Sequence, residues 1–452
     1  MNDPHPLLPP YSASSPAINR RQLLGALALG SIATLTADAQ EPAESAPSST
    51  RELWTWARAQ QVLSPGVAYL DTASDGPKLR AALVAEYRGR EASSLDRAAF
   101  HSEVFGPVFV RRLLDRVATL AGCSADELAL TSSATEALNI AANGLDLHSG
   151  DEILTTSLEH DAAIYPWLLQ AKRRGVVVKQ VPLRSPLSTP EEILGRITAA
   201  AGPRTRVLAF AHIQYSDGTV LPARELCTFA RERGIVSVVD GAQALGMHDV
   251  SIQDIGCDIY ALSLHKWLSS VSGGALYVRP DMMERLWPLQ ADDYHGWQDS
   301  DRFGQATASI SALRAGWPTT LRKFGTSFAW FGPQWQSLTA VLDFHDLIGK
   351  ARGIARVREL AIYARIRLQK LPGIEFLTPA HPAMFAGILS FRLNTMASNS
   401  LVEALASEDR VIVRHVFHPG SGLDATRVST HLFNSYDDIE RLTRIVQRHA
   451  HG

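Results

Sequence analysis

Short apolar runs alternate with amphipathic stretches from residue 67 to residue 280, and that alternation leaves few folds open. The runs are VAYLD (67–71), LALT (128–131), EILTT (152–156), RVLAFAHI (206–213), IVSVVDG (235–241), IYALSLH (259–265) and GALYVRP (274–280). Each has the length of a strand and is apolar on both faces, as strands of a sheet covered on two sides are. Helical spacing fills gaps between them at 135–145, 162–174, 190–201 and 223–233. The pattern predicts an α/β fold with a mostly parallel, seven-stranded sheet. In such sheets ligands bind beyond the carboxyl ends of the strands, so the residues that follow each run are where chemistry is sought.

Past Arg279 the pattern breaks. Residues 282–318 are rich in Trp, Gly, Asp and Ser, as a loop-rich cover over a site would be, and a long helix is predicted over 334–371. The pieces IEFL, AGILSFRL, SLVEALASE, VIVRHV, TRVSTHLF and DDIERLTRIVQRH then read as strand, strand, helix, strand, strand, helix. This divides the chain into a large domain over 67–330 and a smaller C-terminal α+β domain over 331–452.

The first residues read differently. Arg20 and Arg21 precede an apolar stretch from Leu23 to Thr36, and Ala37-Asp38-Ala39 follows. That is the charge, apolar core and A-x-A site of a signal peptide over 1–39, cleaved near Ala39. Its apolar part is too short to span a bilayer, so no stable membrane anchor is expected. The arginine pair resembles a twin-arginine (Tat) signal, with a Sec signal or a chance basic pair as the alternatives; Tat export machinery and the periplasm are then the expected partner and address. Residues 40–66 read as a linker and N-terminal segment, Pro- and Ser-rich over 41–50.

Composition bears on the partner. Hydrophobic residues make up 46% of the chain, enough for a real core, and a net charge of −2 gives no electrostatic case for nucleic acid. A small molecule is the expected ligand. Three cysteines, Cys123, Cys227 and Cys257, lie at wide, unpatterned spacing, which argues against a disulfide framework and a C-x-x-C metal site; no metal is expected.

At the strand ends, LALT is followed by Ser132-Ser133-Ala134-Thr135-Glu136, small and hydroxyl residues opening a helix. They read as an ordinary cap or as a phosphate cup. His160 follows EILTT, Tyr215 follows RVLAFAHI, Asp240 ends IVSVVD with Gln243 just beyond, and Ser263, His265 and Lys266 close IYALSLHK. Lys266 alone would pass for a strand-end lysine reaching into water. Asp240 alone would pass for turn chemistry. Together they share one reading. Pyridoxal 5′-phosphate needs a lysine for its Schiff base, a carboxylate for its ring nitrogen, a polar partner for its phenolic oxygen, a flat group over the ring and anion donors for its phosphate.

The order SATEALNI, EHDAAIYPW, HIQYSDGTVLP, VVDGAQALG and DIYALSLHKW resembles the class V aminotransferases of fold type I, a group that includes cysteine desulfurases and isopenicillin N epimerase. The resemblance implies that Lys266 carries the cofactor, that Asp240 pairs with its ring nitrogen, that Gln243 meets its phenolic oxygen and that His160 stacks on its ring. Ala134, Thr135, Ser263 and His265 would hold the phosphate. Gly325 and Thr326 of RKFGTSF would reach the phosphate of a partner subunit, implying a homodimer. Arg427, in TRVSTHLFN, would clamp a substrate carboxylate, with Arg414 a second candidate.

Two departures from the family pattern narrow the chemistry. Desulfurases carry a reactive cysteine in the loop before that arginine, whereas RHVFHPGSGLDATR has none. Tyr215 stands where desulfurases place Asn, close to the phenolic oxygen. The implied enzyme acts at Cα of an amino acid or peptide-derived amine. Transamination is the leading expectation, epimerisation or β-elimination the alternative, and a degenerate binding protein the non-enzymatic one. Export makes the chain similar to periplasmic enzymes that tailor siderophore peptides. Tyr294, His295, Trp297 and His418 are further plausible pocket residues.

Overall fold

The computed structural model describes residues 47, 49–289, 324, 332–418 and 421–450. Thirteen strands are named in chain order: β1 (Ala68–Tyr69), β2 (Leu128–Thr131), β3 (Glu152–Thr156), β4 (Val177–Val181), β5 (Thr205–Ala211), β6 (Val236–Gly241), β7 (Ile259–Ser263), β8 (Gly274–Val278), β9 (Ile374–Phe376), β10 (Ile388–Leu393), β11 (Val411–Ile412), β12 (Arg414–His418) and β13 (Leu423–Ser429).

The large sheet has seven strands in the order β2-β8-β7-β6-β5-β3-β4. Pairing is parallel from β7 to β4 and antiparallel where β8 meets β7 and β2. Strand periodicity explains why the runs are apolar throughout: alternate residues feed different cores. Ile259, Ala261, Leu276 and Val278 enter one core with the helix Ala134–Gly144. Tyr260, Leu262, Ala275 and Tyr277 enter the other, which also holds the helix Ala223–Glu232 through Leu226, Cys227 and Ala230. Each fully buried Leu, Ile or Val contributes about 1.5–3 kcal/mol, so the sheet is rigid support for whatever its ends carry.

Three elements differ from the sequence reading. The run at 67–71 was expected in the large sheet, but β1 pairs in parallel with β11, Ala68 against Val411 and Tyr69 against Ile412. The seventh strand of the large sheet is β4 instead, an edge strand whose Val177, Lys179 and Gln180 are exposed, so it shows no apolar run. The helix expected over 334–371 is two helices, Gly332–Ile348 and Lys350–Leu368. Gly349 separates them at φ 84°, a left-handed conformation that interrupts the ladder and that glycine adopts without strain.

The C-terminal sheet is antiparallel in the order β12-β13-β10-β9. The helices Ser398–Asp409 and Tyr436–Ala450 close its core through Leu401, Leu405, Leu442 and Val446. Among the described residues no helix is long and apolar enough to cross a membrane.

Candidate active site

A cavity of about 220 Å³ opens at the carboxyl ends of the large sheet. Nine of the residues singled out in the sequence line it: Ala134, Thr135, His160, Tyr215, Asp240, Gln243, Ser263, His265 and Lys266. Each arrives there because a strand ends and the chain turns.

Asp240 is the fifth residue of β6, and its Oδ1 accepts the amide of Ala242 at 2.9 Å. Lys266 lies three residues beyond β7. Desolvation by the surrounding protein, partly offset by Asp240, pulls the Lys266 ammonium down to about 8. Among the described residues its amine has no hydrogen-bond or ion-pair partner, unusual for a desolvated cation. The backbone around it is fixed on both sides. Gly76 donates its amide to the His265 carbonyl at 3.0 Å, and a Cβ on Gly76 would lie 2.0 Å from the Lys266 carbonyl oxygen. The next residue, Trp267, is fully buried and donates to Gln243 Oε1 at 2.8 Å.

The helix Ala134–Gly144 starts at the cavity wall. Ser133 caps it, its hydroxyl accepting the Glu136 amide at 3.2 Å. The cap leaves the first-turn amides of Ala134 and Thr135 for an anion. The loop sits so close to β8 that a Cβ on Gly274 would fall 2.7 Å from the Ala134 nitrogen. Ser263 Oγ and His265 Nδ1 lie 3.1 Å apart on the same wall.

His160 caps the helix Asp161–Arg174, its Nδ1 accepting the Ala162 amide at 3.1 Å. An accepting Nδ1 means that the proton sits on Nε2. Desolvation and the Lys266 charge hold the imidazole below its usual range and so keep it neutral. Tyr215 packs edge-on against the His160 ring, centroids 4.7 Å apart, and its hydroxyl lies 2.6 Å from His418 Nε2 on β12.

Two side chains are more committed than the sequence suggests. Gln243 donates to the Ala73 carbonyl at 2.9 Å as well as accepting from Trp267. Arg427, on β13, is buried and bonds Asp71 at 2.7 Å, Ser74 Oγ at 2.6 Å and the Tyr215 carbonyl at 2.9 Å. Arg414 is its cross-strand partner in register, exposed and without an ion pair among the described residues. Asp71 and Ser74 escaped the sequence reading; the signal available was LDTASDG, polar residues directly after an apolar run.

Gly325, Thr326, Tyr294, His295, Trp297 and the N-terminal signal lie outside the described residues. The three cysteines are free thiols, none of which lines the cavity. The donor set fits pyridoxal 5′-phosphate: an unpartnered amine, a carboxylate and a capped helix start with free amides share one cavity.

Comparison with known proteins agrees. Residues 69–442 match the family described as Aminotransferase class-V. The isopenicillin N epimerase of Amycolatopsis lactamdurans is 34% identical over 416 residues, covering 87% of this chain and 98% of its own. The enzyme of the same name from Streptomyces clavuligerus is 33% identical over 397 residues, covering 86% and 96%. Among solved structures, the cysteine desulfurase CsdA of Escherichia coli superposes with a TM-score of 0.73 at 23% identity, covering 88% of this chain and 98% of that one.

Proposed function

The chain belongs to the class-V aminotransferase family, and from that premise we propose that it is a pyridoxal-phosphate enzyme that inverts configuration at the α-carbon of an amino acid or peptide-derived amine. The observation that carries the chemistry is the Lys266 amine, desolvated and unpartnered among the described residues, in the cavity that also holds Asp240 and the helix start at Ala134. The two epimerase relatives, matched over nearly their whole length, favour epimerisation over transamination, and the absence of a cysteine from residues 414–427 disfavours desulfuration.

Pyridoxal phosphate, when bound, draws electrons from the substrate α-carbon and makes its hydrogen acidic. The chain's own residues do the rest. Lys266 would anchor the cofactor, and its desolvated amine would take the α-proton. Asp240 would keep a proton on the ring nitrogen. The amides of Ala134 and Thr135, with Ser263 and His265, would hold the phosphate. His160, fixed by its own cap, would cover the ring. Arg414 or Arg427 receives the substrate carboxylate.

The same proposal includes export and a partner subunit. Arg20-Arg21 and the apolar stretch that follows support twin-arginine export to the periplasm, and the Gly325-Thr326 pair supports a homodimer with shared sites. A substrate met outside the cytoplasm would be a secreted peptide or amino acid, and siderophore-type peptides belong to that class.

The test is incubation of the holoenzyme with isopenicillin N in deuterated water. Deuterium at the side-chain α-carbon together with inversion and retained amine supports the proposal. Conversion of the cofactor to its amine form would instead establish transamination. No α-exchange with this compound or with a panel of L-amino acids would overturn it.

A further inference from the structure

Inversion at a carbon needs a proton removed from one side and another delivered to the opposite side. Lys266 supplies one such group. The described cavity holds a second candidate that the family pattern does not account for, the hydroxyl of Tyr215.

Tyr215 and Lys266 reach the cavity from different flanks of Asp240. The large sheet runs β7-β6-β5-β3, with Asp240 the last residue but one of β6. Lys266 follows β7 on one flank. Tyr215 follows β5 on the other, and its ring meets that of His160, which follows β3. The phenol is also held at both ends of its residue. Its carbonyl accepts from Arg427 at 2.9 Å, and its hydroxyl pairs with His418 Nε2 at 2.6 Å. His418 is half-buried on β12.

We propose that the Tyr215 hydroxyl, held by His418, is the group that delivers a proton to the substrate α-carbon from the side away from Lys266. This rests on the epimerase reading above. The step balances. The Lys266 amine takes the Cα–H proton and becomes an ammonium, and the bonding pair stays with the substrate. The Tyr215 hydroxyl gives its proton to that carbon, a new C–H bond forms, and a phenolate remains. Exchange with water then takes one proton from Lys266 and returns one to Tyr215. For the opposite epimer the two residues trade roles.

His418 is a positioning residue in this scheme. With its hydrogen on Nε2 the imidazole donates to the phenol oxygen, leaving the phenol hydrogen free for the cavity. The same bond then steadies the phenolate. Where Asn stands in the desulfurase pattern, Tyr supplies an oxygen that can lose a proton, which an amide does not.

The test compares wild-type holoenzyme with Tyr215→Phe, using isopenicillin N in deuterated water. Two rates are read: inversion, and deuterium uptake at the α-carbon with configuration retained. Removing the phenol oxygen should cut inversion by about 10²-fold or more while Lys266 continues exchange with retention within a few-fold. A visible band of bound cofactor should still form, and the melting temperature should stay within a few degrees of wild type. In the apoprotein, the His418 ring nitrogen resonances should move in Tyr215→Phe, showing the pair in solution without reference to turnover. Unchanged inversion in Tyr215→Phe, an equal fall in both rates, or unmoved His418 resonances would overturn the proposal. A wild-type enzyme that neither exchanges nor inverts brings down the epimerase reading, and this inference with it.

Discussion

Arg427 and Asp71, 356 positions apart in sequence, form a buried ion pair at 2.7 Å beside the cavity. The arginine expected to receive the substrate carboxylate therefore already holds a carboxylate of its own chain. Burial pushes the guanidinium below its usual range and Asp71 counters that shift. Removing one partner of a buried pair costs about 3–5 kcal/mol, because the other charge stays desolvated. Asp71→Asn should lower the melting temperature accordingly. Added acetate or propionate should restore more of that loss in the variant than it adds to wild type. Equal effects of the carboxylates on both proteins would show that Arg427 is closed to exogenous anions and leave Arg414 as the clamp.

Lys266 gives a pH signature in the cofactor-free protein. Its folded pKa, about 8, lies below the ordinary 10.5, so between those values the unfolded chain binds the extra proton. The desolvated ammonium thus weakens the fold fully below pH 8, and the penalty fades as pH rises toward 10.5. Apoprotein carrying Lys266→Met should melt above wild type at pH 7, with the gap narrowing between pH 8 and 10. The same substitution should abolish the visible band of the loaded enzyme and cut turnover by at least about 10³-fold.

Gly274 tests the anion cup. A Cβ there would lie 2.4 Å from the Ser133 carbonyl carbon, and both neighbours are backbone that yields only by moving the loop. Overpacking of this kind costs about 1–3 kcal/mol. Gly274→Ala should weaken pyridoxal-phosphate binding by roughly 5- to 100-fold, read by fluorescence titration of the apoprotein. Pyridoxal, which lacks the phosphate, should lose far less.

Glu159 is a buried carboxyl next to His160 that receives Thr156 Oγ1 at 2.6 Å and Gln214 Nε2 at 3.3 Å. Desolvation pushes it up to about 8, with the Asp240 charge adding to the rise. The folded state thus favours the protonated form, and its contribution to stability is fully present below the unfolded value, near 4.5, and is lost as pH rises through 8. Glu159→Gln should flatten that decline, seen as a smaller fall in apoprotein stability from pH 5 to pH 8. An unchanged slope would mean that the carboxyl is ionised when folded.

What could be read from sequence follows from what is local. Lys266 and Asp240 were legible because each ends an apolar run, and strand ends converge by the rule of parallel sheets. The cap at Ser133 and the glycine-poor helix behind it carried their signal within a few residues. β4 was not legible: an edge strand with exposed Lys179 and Gln180 has no apolar period to show. The break at Gly349 was one residue inside an otherwise continuous helical pattern. Asp71 with Arg427, and Tyr215 with His418 203 positions away, are pairings made by the fold, and no spacing rule in one sequence reaches that far.

The pairing of β1 with β11 sets an order of assembly. The segment just after β1 supplies Asp71 and Ser74 to Arg427, and Gly76 to the backbone at His265 and Lys266. Its strand partner, Val411–Ile412, leaves the ribosome long after β1 does. The amino-terminal edge of the cavity therefore waits for its strand partner until the chain has been made past residue 412. A nascent or truncated product ending before residue 411 would hold the lysine without the strand that pairs with β1 beside it.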